Sequence, residues 1–295
     1  MVTFTTGSMN ILSIQSWVCY GHVGNASAVF PLQLLGAEVW AMNTVQFSNH
    51  TGYGDWTGQV FSGDDISALM KGIADRGVLS RCDAVLSGYM GSDAIGGAIL
   101  DAVASVRAAN LNSLYCCDPV IGDMGRGIFV RPGLPELFRD RAVPAANILT
   151  PNQFELEWLT GHPCRTLADA RAAVKTLAES MIRQGPRIIL VTSLHVAETP
   201  SGSLDMLVYE DGRFHLLRTP LLPVSINGAG DAIAALFLFH RLDTGDARQA
   251  LEKAASSVYG LLKRTAEARS AEILTVAARQ EFLTPTTHFS AQRIN

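Results

Sequence analysis

Residues 224–231 read VSINGAGD, and the apolar run AIAALFLF follows at residues 232–239. Glycines just before an apolar helix tolerate positive φ and let several amide groups point at one spot, where the helix N-terminus adds partial positive charge. The pattern therefore predicts a phosphate cradle formed by Gly228, Ala229 and Gly230. Asp231 is then either a general base for a hydroxyl group or a first-turn acid that offsets the helix dipole.

Composition excludes several classes of protein. The 295 residues are 48% hydrophobic, which suffices for a substantial core, and the net charge of -4 includes no long run of either sign. A nucleic-acid-binding surface is therefore not expected. The five cysteines form no C-x-x-C pair and have no histidine at metal spacing, which is typical of reduced thiols in a cytosolic protein.

The termini and the location follow from the same composition. No signal peptide and no membrane-spanning apolar run is found, so we expect a cytoplasmic protein without a membrane partner. We expect residues 1–9 to be a leader or a disordered N-terminus, residues 10–290 to form one domain, and residues 291–295 to be a tail.

Predicted strands and helices alternate along most of the chain. Apolar strands are predicted at 10–16, 38–44, 83–87, 114–118, 147–150 and 187–192, with helices at 26–35, 64–76, 93–109, 153–159 and 167–184. An antiparallel hairpin is predicted at 203–209 and 213–218, and the last helix at about 246–265. Together these elements predict a single α/β domain: a mostly parallel sheet covered by helices on both faces, with the hairpin at its edge.

Polar residues end four of the predicted strands. These residues are Ser16, Asp118, Thr150 and Thr192. Because ligands of such sheets bind beyond the carboxyl ends of the strands, we expect the four side chains to border one site. The P-loop pattern, the dinucleotide-binding fingerprint, the G-x-S-x-G elbow and the kinase D-F-G set are all absent, which leaves a nucleotide site without a catalytic lysine loop.

Seven segments in order resemble the pyridoxal/pyridoxamine kinases of the ribokinase-like superfamily, and the likeness runs from Ile11 to about Ser290. The segments are Ile14–Ser16, Gly21–Asn25, Asn43–Thr51, Leu86–Tyr89, Cys117–Val120, Thr150–Glu155 and Gly228–Asp231. The resemblance implies ATP-dependent phosphorylation of the 5′-hydroxymethyl group of a vitamin B6 vitamer. It also implies a requirement for Mg²⁺, often a monovalent cation such as K⁺, and a homodimer.

The resemblance assigns vitamer contacts position by position. Polar contacts are expected from Ser16, His50 and Thr51, pocket walls from Val45, Phe47 and Tyr89, and the general base from Asp231. Two of these assignments have an alternative. Val45 and Phe47 could instead be core residues, and His50 could instead only hold its loop.

The resemblance likewise assigns the nucleotide and metal contacts. Candidates for ATP are Asp118, Thr150, Glu155, Thr192, Arg218, Asn227, Gly228 and Gly230, with residues 218–224 bordering the adenine. Candidates for Mg²⁺ are Asp118, Asn152 and Glu155, since Mg²⁺ prefers oxygen ligands and retains waters. The spacing of Asn152 and Glu155 also fits a helix capping box. The role of Asn227 is open.

The glycine-dense segment Gly122–Gly127 is predicted to be a mobile flap over ATP, where Arg126 either reaches a phosphate or is a solvated surface charge. Ser225 and Ile226 replace the Asp-Thr of sugar kinases, and Thr192 replaces a lysine of some close relatives. Two other functions are a hydroxymethylpyrimidine kinase, which the Ser48–Thr51 segment disfavours, and a vitamer reservoir with little turnover. Intact Asp118, Glu155 and Asp231 argue against the reservoir.

Overall fold

The predicted alternation of strands and helices is confirmed in the computed structural model, which describes residues 9–294. The leader expected at the N-terminus lies, except for Met9, outside the described residues. The strands are β1 Asn10–Tyr20, β2 Glu38–Asn49, β3 Gly58–Val60, β4 Ala84–Ser87, β5 Leu114–Cys117, β6 Gly122–Asp123, β7 Gly127–Ile128, β8 Ile148–Leu149, β9 Ile188–Leu194, β10 Ser203–Glu210, β11 Arg213–Pro220 and β12 Gln292–Ile294.

The helices follow the strands in the expected order. They are α1 Asn25–Leu34, α2 Gly63–Ala74, α3 Asp93–Ala109, α4 Leu134–Leu137, α5 Val143–Ala145, α6 Gln153–Thr160, α7 Leu167–Ser180, α8 Ala229–Thr244, α9 Ala247–Glu267 and α10 Gln280–Leu283. A π-helical turn at Phe138–Ala142 joins α4 to α5.

The main sheet has the strand order β12-β11-β10-β9-β8-β5-β4-β1-β2-β3. The six strands from β9 to β2 in this order are parallel, and antiparallel strands extend both ends. The central parallel strands β4, β5 and β8 are short and buried on both faces, as expected for a sheet between two helical layers. Their carboxyl ends therefore lie along one edge, where the site forms.

Alternate strand residues feed two large apolar clusters, one on each face of the sheet. One cluster contains residues of α2, α3, α6 and α7, and the other contains residues of α1, α8 and α9. Val85 and Leu86 on β4 show the alternation, since each is fully buried in a different cluster. The run 232–239 at the start of α8 is buried throughout, because α1 and α9 both pack against this helix.

Strands β1 and β2 continue past their predicted ends at Ser16 and Thr44. Their pairing shifts register between Gln15 and Trp17, and it resumes as far as Tyr20. A shift of this kind bends a strand and redirects its side chains. The extension is stable because Val18, Val45 and Phe47 form a third, small apolar cluster there.

The hairpin of β10 and β11 is confirmed, and its turn residues Asp211 and Gly212 have φ of 44° and 93°. The hairpin does not form the sheet edge, however. Residues 292–294 of the predicted tail pair as β12 with 214–216 of β11 and cover that edge. No helix within residues 9–294 is long and apolar enough to cross a membrane.

Candidate active site

A cavity of about 540 Å³ opens over the carboxyl ends of the parallel strands. Its lining contains all but one of the residues assigned individually to substrate, nucleotide, metal or catalysis. Those that line it are Ser16, Val45, Phe47, His50, Thr51, Tyr89, Asp118, Thr150, Asn152, Glu155, Thr192, Asn227, Gly228, Ala229, Gly230 and Asp231. The exception is Arg218, and the prediction that residues 218–224 border the adenine is wrong, because none of them lines the cavity.

One end of the cavity is apolar. Val45 and Phe47 are 1% and 6% exposed, and Tyr89 packs against them. Phe47 also stacks on Trp56, with ring centroids 3.9 Å apart. These side chains belong to a small apolar cluster and face the cavity at the same time. Val45 and Phe47 are therefore both core residues and part of the cavity wall. Such a wall suits a flat heteroaromatic ring.

Ser16 lies beside this wall at the irregularity between β1 and β2. Its side chain and carbonyl lie so close to Gly24 that any side chain at position 24 would collide with them, and Gly24 has a φ of 55°. Gly24 therefore holds the first loop against β1. Thr51 follows β2 in a short 3₁₀ turn, and it is exposed at the mouth of the cavity.

The glycine turn begins α8 in the manner predicted from the sequence. Gly228 is the N-cap with a φ of 91°, packs against the carbonyl of His22, and accepts a hydrogen bond from Ser27 Oγ at 2.8 Å through its own carbonyl. Among residues 9–294, no side chain caps the helix. The first amides of α8 are thus left to an anion in the cavity.

Asp231 is the third residue of α8 and opens onto the cavity. Protein atoms surround the rest of its carboxyl group, and this desolvation raises its pKa from 3.8 to about 6, although the backbone N–H of Gly24 stabilises the charged form. A carboxylate with a pKa near neutrality is suited to accept a proton from a hydroxyl group.

Two more buried carboxyl groups, Asp118 and Glu155, face the same cavity. Burial, and then the charges of Glu155 and Asp231, raise the pKa of Asp118 well above its usual range, against the hydrogen bond that Thr150 Oγ1 donates at 2.9 Å. Burial also raises the pKa of Glu155 to about 7. Three acids that repel one another in one cavity form an electrostatic environment that favours a cation.

The fit to Mg²⁺ depends on which oxygens are free. Glu155 accepts backbone N–H bonds from Ile121 at 3.0 Å and from Asn152 at 2.9 Å. Asn152 caps α6 by accepting from the Glu155 N–H at 2.9 Å, so the predicted capping box is present. Asp118 has fewer protein partners. Within residues 9–294 no three His, Cys, Asp or Glu side chains are grouped as ligands of one metal ion. The donors therefore fit an ion that keeps most of its waters.

The opposite end of the cavity is apolar and was not predicted. It is lined by Leu204, Met206, Ile226, Ile233, Val258 and Leu262, beside Thr192 and Ser193. In the sequence these residues belong to ordinary apolar positions of β10, α8, α9 and the loop before α8, so no local signal marks them.

Arg218 does not border this end. Its guanidinium donates from Nε to Asp205 Oδ1 at 2.6 Å and also contacts the Glu198 carbonyl. Asp205 is 1% exposed, and a buried carboxylate requires such a partner.

The segment Gly122–Gly127 forms the two-stranded hairpin of β6 and β7 over the cavity. Arg126 lines the cavity, but its guanidinium donates to Asp123 Oδ2 at 2.7 Å and stacks over Phe129 at 4.7 Å. In this arrangement the charge of Arg126 is neutralised by its own hairpin.

Glu272 is a buried residue of the site region that the sequence analysis did not single out. Its Oε1 accepts from Tyr53 Oη at 2.6 Å and lies 3.0 Å from His50 Nε2, while its Oε2 accepts from the His22 N–H at 3.2 Å. His50 Nδ1 lies 3.3 Å from the side-chain amide nitrogen Nδ2 of Asn227. Because 222 residues separate Glu272 from His50, no sequence spacing indicates the contact.

Known proteins resemble this chain over most of its length. The family model described as phosphomethylpyrimidine kinase matches residues 76–275. The pyridoxal kinase PdxY of Granulibacter bethesdensis is 94% identical, covering 96% of this chain and 99% of its own length. The pyridoxal kinase PdxY of Deinococcus radiodurans is 56% identical, covering 97% and 96%. The structure of the Leishmania donovani pyridoxal kinase in complex with ADP and pyridoxamine is similar, with a TM-score of 0.88, 27% identity, and coverage of 98% and 100%.

Proposed function

The chain belongs to the pyridoxal kinase family of the ribokinase-like superfamily, and from this premise we propose that it transfers the γ-phosphoryl group of ATP to the 5′-hydroxymethyl group of a vitamin B6 vitamer. One observation carries the proposal. A single cavity joins an apolar ring pocket, an uncapped helix N-terminus and the carboxyl group of Asp231, whose pKa is raised to about 6.

The proposed positions of the two substrates follow from the two apolar ends. The vitamer ring lies against Val45, Phe47 and Tyr89, with Ser16 and Thr51 as polar partners. The adenine lies at the other end, among the apolar residues of β10, α8 and α9. The phosphates then extend toward the start of α8, where the 5′-hydroxyl group meets them.

In the proposed reaction, Asp231 accepts the hydroxyl proton while the oxygen attacks the γ-phosphorus and the bond to ADP breaks. The amides of Gly228, Ala229 and Gly230 stabilise the charge on the transferred group, and no lysine loop is needed. Alignment by the two apolar ends supplies the remaining advantage, since phosphoryl transfer depends mainly on positioning and charge neutralisation.

Mg²⁺ is proposed to be held near Asp118 and Glu155, mostly through its waters, with Asn152 positioning Glu155 by its cap. The ion would neutralise phosphate charge. Opening of the ion pair between Asp123 and Arg126 would free that arginine for a phosphate when the β6–β7 hairpin closes. A monovalent cation such as K⁺, a homodimer and a cytoplasmic location remain predictions from the resemblance.

A coupled assay of ADP release tests the function. Pyridoxal, pyridoxamine, pyridoxine and hydroxymethylpyrimidine are compared, each with and without Mg²⁺. We expect Mg²⁺-dependent turnover with at least one B6 vitamer and a much lower kcat/KM with hydroxymethylpyrimidine. The pyrimidine is included because the matching family model carries a pyrimidine kinase description. Preference for it would replace the vitamer assignment, and tight vitamer binding without ADP release would favour the reservoir.

A further inference from the structure

Glu272 touches two separate segments that border the vitamer end of the cavity. Its carboxylate accepts from the backbone of His22 in the first loop, and it contacts His50 and Tyr53 in the turn after β2. The residue itself lies after α9 and is 8% exposed. A side chain at Gly21 would collide with the Glu272 carboxylate, so the first loop is built around this group.

The contacts determine the hydrogen positions on His50. A carboxylate can only accept, so His50 Nε2 carries the hydrogen of the 3.0 Å bond to Glu272. In the neutral ring, Nδ1 then has a free lone pair, and the side-chain nitrogen Nδ2 of Asn227, 3.3 Å away, is the donor that faces it. Both ring nitrogens are used by the protein. Apart from Asp231 at the 5′-hydroxyl group, the vitamer is left with Ser16 and Thr51 as polar partners.

Gly52 provides the space for this link. A methyl group at position 52 would lie 2.9 Å from His50 Nδ1 and 3.1 Å from Asn227 Nδ2, between the two bonded groups. Tyr53 adds a second restraint, because its ring stacks on His50 with centroids 4.6 Å apart and its hydrogen bond to Glu272 raises its pKa to about 12.

We infer that Glu272 is a positioning residue for phosphoryl transfer: it fixes His50 in the Nε2–H form, and His50 in turn holds Asn227. Asn227 immediately precedes the turn of Gly228 to Asp231, so this link joins the loop at the vitamer end to the catalytic turn. The inference rests on the proposed function for its kinetic consequence, although the hydrogen-bond link itself does not.

The first test reads the state of His50 directly. Two-bond ¹H–¹⁵N correlation spectra of protein with ¹⁵N-labelled histidine distinguish the two neutral forms and the charged ring, and His50 is assigned by its absence in His50→Gln. We expect a neutral ring with hydrogen on Nε2, converted to a mixture in Glu272→Gln. A hydrogen on Nδ1, a charged ring, or an unchanged spectrum in Glu272→Gln would overturn the inference.

The second test is kinetic. Partners that orient metal-bound histidines contribute about 10- to 100-fold to activity, and we expect an effect of the same order here. Glu272→Gln should therefore lower kcat for the vitamer by about 10-fold or more while the KM for ATP changes little. Glu281→Gln is the matched control, since Glu281 is 1% exposed in the same C-terminal region and bonds instead to Thr286 and Arg264. Equal kinetic effects of the two variants would indicate a purely structural role.

Gly52→Ala keeps the inference testable should Glu272→Gln fail to fold. It inserts a methyl group between His50 and Asn227 without touching Glu272, and it should reduce kcat while the Nε2–H form persists. Gly72→Ala is its control, because a methyl group there meets no atom of residues 9–294 within 4 Å apart from the backbone of its own helix. Normal kcat in Gly52→Ala would contradict the link. Absence of vitamer phosphorylation by the parent protein, with the Nε2–H form intact, would instead overturn the proposed function.

Discussion

Asp231→Asn should separate stability from turnover. The pKa of Asp231 rises from 3.8 to about 6 in the folded protein, a difference of about two pH units. Each unit corresponds to about 1.4 kcal/mol, so the ionised carboxyl group destabilises the fold by up to about 3 kcal/mol, and by less where water in the cavity solvates it. Asparagine has a similar shape and cannot ionise. The variant should therefore be more stable than the parent at pH 8.

The sign of this effect depends on pH. Because the pKa of Asp231 is higher in the folded than in the unfolded protein, its protonation stabilises the fold. This stabilisation is complete below pH 3.8 and is lost as the pH rises through about 6. The gain of Asp231→Asn should therefore be largest above pH 7 and fall below about 1 kcal/mol at pH 4. Urea unfolding at pH 4, 6 and 8 measures it, with Asp101→Asn on the exposed face of α3 as a control that should not respond.

The same variant should lose turnover by roughly 10²- to 10⁴-fold, because a general base contributes about that much, while KM for the vitamer stays within a few-fold. A stability gain at pH 8 together with near-normal turnover would refute the assignment of Asp231 as the base. No gain at pH 8 would refute the desolvation on which the raised pKa rests.

Four further outcomes are expected. In the parent protein, kcat/KM for the vitamer should fall below about pH 6 as Asp231 gains a proton, and a pH–rate profile without that acidic limb would contradict the base. Phe47→Leu should raise the vitamer KM about three- to tenfold and leave the KM for ATP unchanged, because the stack on Trp56 is lost. Glu155→Gln should raise the Mg²⁺ concentration for half-maximal rate by about 10-fold or more, as measured by Mg²⁺ titration. Arg218→Ala should lower the free energy of unfolding by about 1–3 kcal/mol, because the buried carboxylate of Asp205 loses its ion-pair partner, and the KM for ATP should not change. A raised KM for ATP would instead indicate that Arg218 contacts the nucleotide.

The sequence predicted those parts of the site that local chemistry determines. Asp118 and Thr150 follow buried strands, so the parallel sheet brings them to one edge. The glycine turn before Asp231 indicates the start of the helix that contains it. The alternation of apolar strands and helices is likewise a local pattern, and it predicted the parallel sheet. The strand ends of β1 and β2 were missed because the register shift beside Ser16 has no signature in either strand alone.

Contacts between distant segments could not be predicted from local pattern. Glu272 meets His50 only after the chain has folded, and its surroundings in the sequence are those of an ordinary loop. The pairing of residues 292–294 with β11 depends on an open sheet edge that the polar sequence of the tail does not indicate. The family resemblance predicts Arg218 at the nucleotide, whereas the buried charge of Asp205 determines where its side chain lies.

The most direct test of the central claim identifies the product. The protein is incubated with ATP, Mg²⁺ and pyridoxal, and the mixture is followed by ³¹P NMR with proton coupling retained. We expect the γ-phosphate signal of ATP to be replaced by a phosphate ester coupled to the two 5′-methylene protons, with one ADP formed per ester. Release of inorganic phosphate alone, or unchanged ATP in the presence of bound pyridoxal, would contradict the account.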